Sequence, residues 1–157
     1  MMKDGLRAQL KMQEKFFLNT ISCLTEEDST FKPKEEMYTV AEHIGHTAET
    51  IDWFFEGAFG EKGFDMNFEN YAEQMKKYTS FDESVKYFKE VTAKRIKTIE
   101  AHTNEELLAP IKAQIMNGDP KMVIVNAIVD HTAHHRGSLA VYARLLGKQP
   151  QMPYGEM

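Results

Sequence analysis

Histidine is the residue type whose spacing in this 157-residue chain indicates chemistry. His131, His134 and His135 fall within one five-residue stretch, and His43 and His46 lie close together in an earlier segment. A neutral imidazole is both a proton acceptor near neutral pH and a common metal ligand. Two histidines at positions i and i+4 share one helix face, where their ring nitrogens can bind the same divalent metal. The spacing of His131 and His135 therefore predicts two ligands of a metal site.

Helical geometry separates the three histidines of the later cluster. With about 100° per residue and Ile128 at the centre of the apolar face, His135 lies about 20° and His131 about 60° from that centre. His134 lies about 120° away, on the flank of the helix. Burying two neutral imidazoles requires partners for their ring nitrogens, which a metal or hydrogen bonds can supply. Both a metal site and a hydrogen-bonded pair of core histidines are consistent with this geometry.

The earlier segment offers a third ligand, either His43 or His46. Measured from Ile51, His43 lies about 80° and His46 about 140° from the centre of the apolar face. Periodicity alone therefore favours His43. The remaining histidine, His102, is expected near the end of a helix, where a positive charge interacts favourably with the helix dipole.

Apolar residues at helical spacing predict the elements that position these histidines. Four long amphipathic helices are expected, over about 4–23, 39–58, 80–101 and 119–147. The predicted fold class is all-α, an up-and-down four-helix bundle with one long crossover loop, formed as a single domain over residues 1–157.

The expected helix ends carry recognisable signals. Thr39 with Glu42 has the form of a capping box, in which each side chain binds the backbone amide of the other residue. Asp119 followed by Pro120 is typical of a helix start, and Gly147 is typical of a helix C-terminus.

Residues 59–80 form an aromatic-rich connection between the second and third long helices. Its periodicity allows a short helix over about 68–75. The aromatic side chains could form one wall of a substrate pocket or a lid, but aromatics in a long connection more often cover the end of a core. We therefore expect this segment to cap the bundle.

Composition excludes several classes of protein. The formal net charge of −5 argues against a nucleic acid or an acidic membrane surface as partner. No apolar run is long enough to span a membrane, and no signal peptide is apparent, so we expect a cytoplasmic protein. The one cysteine, Cys23, cannot form an intrachain disulfide and is expected to be a small apolar filler rather than a nucleophile.

Several stretches of the chain together resemble one bacterial protein family. These are YTVAEHIGHTAETIDW at 38–53, DHTAHHRG at 130–137, YARLLG at 142–147 and the closing MPYG at 152–155. Their order and separations resemble the DinB family over nearly the whole chain. The resemblance implies a four-helix bundle that binds a divalent metal ion, commonly nickel or zinc, through three histidines, and that commonly forms a homodimer.

The resemblance also implies a particular ligand set. The family's first ligand matches His46, which precedes Trp53 by seven residues, and the other two match His131 and His135. This choice differs from the periodicity, which favours His43.

The resemblance further implies an enzymatic activity on a small molecule. Some relatives are transferases that use low-molecular-weight thiols such as bacillithiol or mycothiol as cosubstrates, and others are described as metal-dependent hydrolases. Three neutral imidazoles leave a coordination position open to water or to a substrate thiolate, which suits either reaction. The expected function is therefore a metal-dependent thiol transferase or hydrolase. The alternatives are a non-catalytic metal-binding protein of the stress response and a metal-free helical bundle.

The sequence does not assign catalytic residues beyond the metal ligands. Thr132 follows His131, so the glutamate of a metalloprotease His-Glu-x-x-His site is missing. Glu49, Asp52 and Asp130 are candidates for orienting the ligands or transferring a proton, but each is more simply interpreted as a solvated residue on a helix face.

Overall fold

The computed structural model describes residues 1–155 and confirms an all-α fold. Apart from one isolated β-bridge between Pro110 and Pro120, the described residues contain no β-structure. Two short helices lie within the connections between four long ones. In chain order the helices are α1 Met2–Ile21, α2 Val40–Phe59, α3 Tyr71–Met75, α4 Phe81–Ala101, α5 Asn104–Leu108 and α6 Ile124–Leu145.

The four long helices form the predicted bundle, but their neighbour order is not that of a simple up-and-down bundle. Helix α2 packs against α4 and α6, and α1 packs against the same two helices. Helices α1 and α2 therefore lie on one diagonal, and α4 and α6 on the other. In a simple up-and-down bundle consecutive helices are neighbours. Residues 22–39 connect α1 to α2 across one diagonal, and residues 102–123 connect α4 to α6 across the other. Residues 60–80 connect α2 to α4, which are neighbours.

The capping box at the start of α2 is confirmed. The backbone N–H of Glu42 donates to Thr39 Oγ1 at 3.2 Å, and the N–H of Thr39 donates to Glu42 Oε2 at 2.8 Å. These bonds satisfy backbone amides that have no partner within a helix. They set where α2 begins, and so the turn of the helix that presents His43 and His46.

The end of α6 also follows the prediction. Gly147 has a φ of +75°, a conformation that favours glycine. The N–H of Lys148 donates to the carbonyl oxygen of Ala143 at 2.9 Å, and that of Gly147 to Arg144 at 3.0 Å. This pair of bonds is the Schellman motif.

The predicted start of α6 at Asp119 is wrong. Helix α6 begins at Ile124, after a 3-10 turn at Lys121–Val123 that has no side-chain cap. The backbone around Asp119 is engaged elsewhere, because its carbonyl accepts from Ile111 N–H at 2.8 Å and the N–H of Lys121 donates to Ala109 at 3.0 Å. A backbone that pairs with the preceding loop cannot also start the helix.

The core is mostly apolar, but it includes two histidines between α2 and α6. Its largest buried side chains include Phe17, Phe55, Phe88 and Tyr142. His43 and His135 are also buried, with exposed fractions of 6% and 8%. Burying an imidazole without a partner costs free energy, so these two histidines must have hydrogen-bond partners or a metal ion. None of the helices within residues 1–155 is both long and apolar enough to cross a membrane.

Candidate metal centre

Helices α2 and α6 bring His46, His131 and His135 together. One ring nitrogen from each residue lies within 4.8 Å of the other two. The imidazole of His46 is 4.7 Å from that of His135 and 5.1 Å from that of His131, measured between ring centroids. His131 and His135 are one turn apart on α6, and their Nε2 atoms are 3.0 Å apart. These are the three residues that the family resemblance singled out.

His43, which periodicity favoured, lies deeper in the bundle and outside this group. Its Nε2 is 2.6 Å from Nδ1 of His135, on the side of that ring away from His131. The angular argument correctly places His43 in the core. It does not locate the group, because the three histidines meet where the bundle opens to solvent and His46 is only half-buried.

Hydrogen bonds determine which nitrogen each ring can offer to a metal. Nδ1 of His135 is bonded to His43, and Nδ1 of His46 is 2.9 Å from the hydroxyl of Tyr71. A neutral imidazole has one N–H and one lone pair. With Nδ1–H donating to these partners, the lone pair is on Nε2 in both rings. Metal-binding histidines usually have their second nitrogen held in this way.

The histidines are in the charge state that binds metals. Burial lowers the pKa of His131 to about 4 and that of His135 to about 2, with a further contribution from neighbouring imidazoles. Burial also lowers the pKa of His46. The rings are therefore neutral at pH 7, as metal ligation requires. One of the two Nε2 atoms, 3.0 Å apart, can donate a proton to the other, and a shared cation replaces that hydrogen bond by attracting both lone pairs. The three residues thus fit a divalent metal ion.

Glu49 and Tyr71 form a hydrogen-bonded array behind His46. Tyr78 donates its hydroxyl proton to Glu49 Oε1 at 2.7 Å, and Lys77 forms an ion pair with the same carboxylate. The hydroxyl of Tyr71 lies 3.5 Å from Glu49 Oε2. Burial raises the pKa of Tyr71 and of Tyr78, which keeps both hydroxyls protonated. Glu49 is therefore fixed in place, and is not the solvated residue that the simpler interpretation expected.

The other sequence candidates lie outside the group. Asp52 pairs with Arg95, whose Nε is 2.6 Å from Asp52 Oδ1, and so belongs to the contact between α2 and α4. Asp130 and His134 are exposed. Burial raises the pKa of the Cys23 thiol, which agrees with the expected role as an apolar filler.

A cleft of about 530 Å³ opens beside the histidines. His46 and His131 lie on its wall, and Trp53, Phe68 and Tyr71 supply aromatic surface. The segment 60–80 forms one side of this cleft. The expectation that its aromatics cap the core holds for Phe64, which is buried against Trp53 with ring centroids 4.7 Å apart. It is wrong for Phe68 and Tyr71, which face the cleft.

Tyr71 is the site residue that the sequence did not identify. It begins α3, the short helix that periodicity allowed within the aromatic segment. The signal for the helix was present. Nothing in the local pattern indicates that this helix lies over His46, since that contact joins residues 25 positions apart.

Comparison with known proteins identifies solved structures that have a similar fold. No curated protein matches the chain. Among solved structures, a DinB-like protein from Bacillus cereus is similar, with a TM-score of 0.74 and 16% identity over 98% of this chain and 97% of that one. YfiT from Bacillus subtilis, described as a probable metal-dependent hydrolase with an unusual four-helix bundle topology, has a TM-score of 0.71 and 14% identity over 94% of this chain and 89% of its own. At these identities the likeness concerns the fold.

The sequence itself establishes the family. The profile of the DinB superfamily matches residues 9–139, which is most of the chain and includes all three histidines of the group. The resemblance inferred from the histidine motifs is therefore confirmed, and the chain belongs to the DinB superfamily.

Proposed function

We propose that this protein is a metal-dependent hydrolase that acts on a small molecule bound in the cleft, with His46, His131 and His135 as the metal ligands. The observation that carries the proposal is the convergence of three neutral imidazoles at the wall of a cleft, within 4.8 Å of one another. Nickel and zinc are the metals we propose, because both accept imidazole nitrogen readily. When bound, the ion supplies Lewis-acid chemistry, polarising a carbonyl group or lowering the pKa of water or a thiol.

The chain's own residues orient the ligands and the substrate. Nδ1 of His135 is hydrogen-bonded to His43 and Nδ1 of His46 to Tyr71, so both rings are held in place before a substrate arrives. Glu49 is occupied by Lys77 and Tyr78. We therefore assign it to positioning Tyr71 rather than to accepting a proton.

The aromatic walls shape the environment in which the reaction takes place. Trp53, Phe68 and Tyr71 displace water from one side of the cleft, which strengthens electrostatic interactions near the histidines. A pocket with largely apolar walls and a few polar groups is the usual form of a small-molecule site.

Hydrolysis is favoured over thiol transfer by the charges of the cleft. Among residues 1–155, no lysine or arginine lines it. A low-molecular-weight thiol that carries carboxylates would find no cationic side chain there to bind them. The description of YfiT as a probable metal-dependent hydrolase supports the same choice.

The proposal is tested with untagged protein loaded with nickel or zinc. We expect metal-dependent hydrolysis of at least one member of a panel of aryl esters, lactones and amides. His131→Ala should abolish it, and His134→Ala, which changes an exposed histidine on the same helix, should not. The opposite result would be no metal-dependent hydrolysis of the panel together with metal-dependent conjugation of a thiol to monochlorobimane. In that case the protein is a transferase and the proposal of a hydrolase is wrong.

A further inference from the structure

We propose that the cleft selects substrates that carry a positive charge beside an apolar group, as alkylammonium and quaternary ammonium compounds do. The inference rests on the proposed function, because it concerns the cleft beside His46 and His131. It adds the chemical class of the substrate, and it draws on the aromatic rings and the carboxylates of the cleft wall.

The first observation is the charge of the lining. Its two carboxylates belong to Glu49 and Asp65. The charge of Glu49 is compensated by its ion pair with Lys77. Asp65 is exposed and makes no ion pair within the part of the chain that the structure describes. Its Oδ1 accepts only the backbone N–H of Asn67, at 2.9 Å. In the metal-free protein the uncompensated charge on the cleft wall is therefore negative.

The second observation is the arrangement of aromatic rings beside that charge. The ring centroids of Trp53 and Phe68 are 6.2 Å apart, and those of Phe68 and Tyr71 are 6.3 Å apart. Trp53 donates its Nε1 proton to the backbone carbonyl of Asp65 at 2.7 Å, which holds the indole next to this residue. Aromatic faces attract cations, and indole does so most strongly. The rings and the carboxylate therefore favour the same kind of ligand.

Neutral and anionic substrates fit these features less well. A neutral apolar group would contact the rings but leave Asp65 without a partner. An anion would be repelled by Asp65, and in the metal-loaded protein it would be drawn only to the histidine end. Binding to the protein with and without metal separates these two effects.

The test uses three probes of nearly the same shape and different charge. These are choline, its neutral counterpart 3,3-dimethylbutan-1-ol, and the anion 3,3-dimethylbutanoate. Trp53 is the one tryptophan of the chain, so its fluorescence reports occupancy of the cleft. Saturation-transfer NMR of the probe methyl protons provides a second readout that does not depend on a change in fluorescence.

We expect choline to bind metal-free protein about tenfold more tightly than the neutral alcohol, and the preference to be smaller in metal-loaded protein, where the ion adds positive charge. Asp65→Asn should reduce this preference to about threefold, and Phe68→Leu should reduce it by a similar factor. Glu90→Gln provides the control, since it removes an exposed carboxylate on α4 that does not line the cleft. It should leave the preference unchanged.

The inference is overturned if choline and the alcohol bind equally, if neither readout detects choline in the millimolar range, or if Asp65→Asn has no effect. Tighter binding of the anion to metal-free protein would also overturn it. The metal content of the same preparation decides the proposed function separately. A choline preference in protein that takes up no metal would leave this inference standing and remove the hydrolase proposal.

Discussion

His43 Nε2 lies 2.6 Å from His135 Nδ1, so a buried histidine outside the group of three is hydrogen-bonded to one inside it. When His135 offers Nε2 to a metal, its Nδ1–H donates to His43, and His43 then has its own proton on Nδ1. That nitrogen is buried and has no hydrogen-bond partner among the described residues. A buried N–H without an acceptor lowers the stability of the folded protein, so we expect the contact between His43 and His135 to serve metal binding rather than folding.

His43→Ala is expected to weaken metal affinity without changing the number of bound ions. Loss of the residue that orients His135 should reduce affinity about 10- to 100-fold. His43→Gln keeps an acceptor near the same place and should recover part of that loss. The measurement is a competition titration against a chelator, with His134→Ala as the control. Unchanged affinity in His43→Ala, or no recovery in His43→Gln, would argue that His43 only fills space.

Tyr71→Phe is expected to reduce metal affinity about tenfold. The substitution removes the hydroxyl that lies 2.9 Å from His46 Nδ1 and keeps the aromatic ring that forms the cleft wall. Tyr154→Phe is the matched control, because Tyr154 is exposed and lies outside the cleft. If both variants bind metal as tightly as the wild type, the array of Tyr71 and Glu49 does not support His46.

The metal-free protein should lose stability as the pH falls from about 6.5 to about 4. Burial lowers the pKa of His43 and His131 from 6.5 to about 4, whereas the unfolded chain takes up these protons near pH 6.5. Between these values the unfolded state binds more protons, so the free energy of unfolding decreases with falling pH. Urea denaturation measures this slope, which should be shallower in His131→Ala. An identical slope in the two proteins would contradict these pKa values.

Two substitutions at helix starts should differ in their effect on stability. Thr39→Ala removes the cap of α2 and should lower the free energy of unfolding by about 1 kcal/mol. Asp119→Ala should change it by less than about 0.5 kcal/mol, because only the backbone of Asp119 is engaged. Urea denaturation of both variants checks this. A larger loss in Asp119→Ala would mean that its side chain does cap the segment before α6.

The helices could be predicted from the sequence because their signals are local. The apolar spacing and the capping box at Thr39 depend on residues within a few positions of each other. The neighbour order of the helices and the late start of α6 depend on contacts between distant segments, such as Ile111 with Asp119. The family resemblance supplied the bundle but not these details. The homodimer, the cytoplasmic location and the thiol cosubstrate stay predictions.

The candidate site could be predicted in part for the same reason. His131 and His135 share a helix, so their angular positions around its axis show that both lie on the same helix face. The choice between His43 and His46 depends on where the bundle opens to solvent. Angles around the axis of one helix do not show this. Tyr71 reaches His46 from another helix. Its role therefore became visible only in three dimensions.

The metal content of untagged protein tests the central claim most directly. After loading with nickel or zinc and removal of free ions, we expect about one equivalent in the wild type and in His134→Ala. His46→Ala should retain less than about a tenth of an equivalent under the same conditions. A wild type that takes up no metal, or a His46→Ala variant that binds as much as the wild type, would contradict the assignment of His46, His131 and His135 as metal ligands.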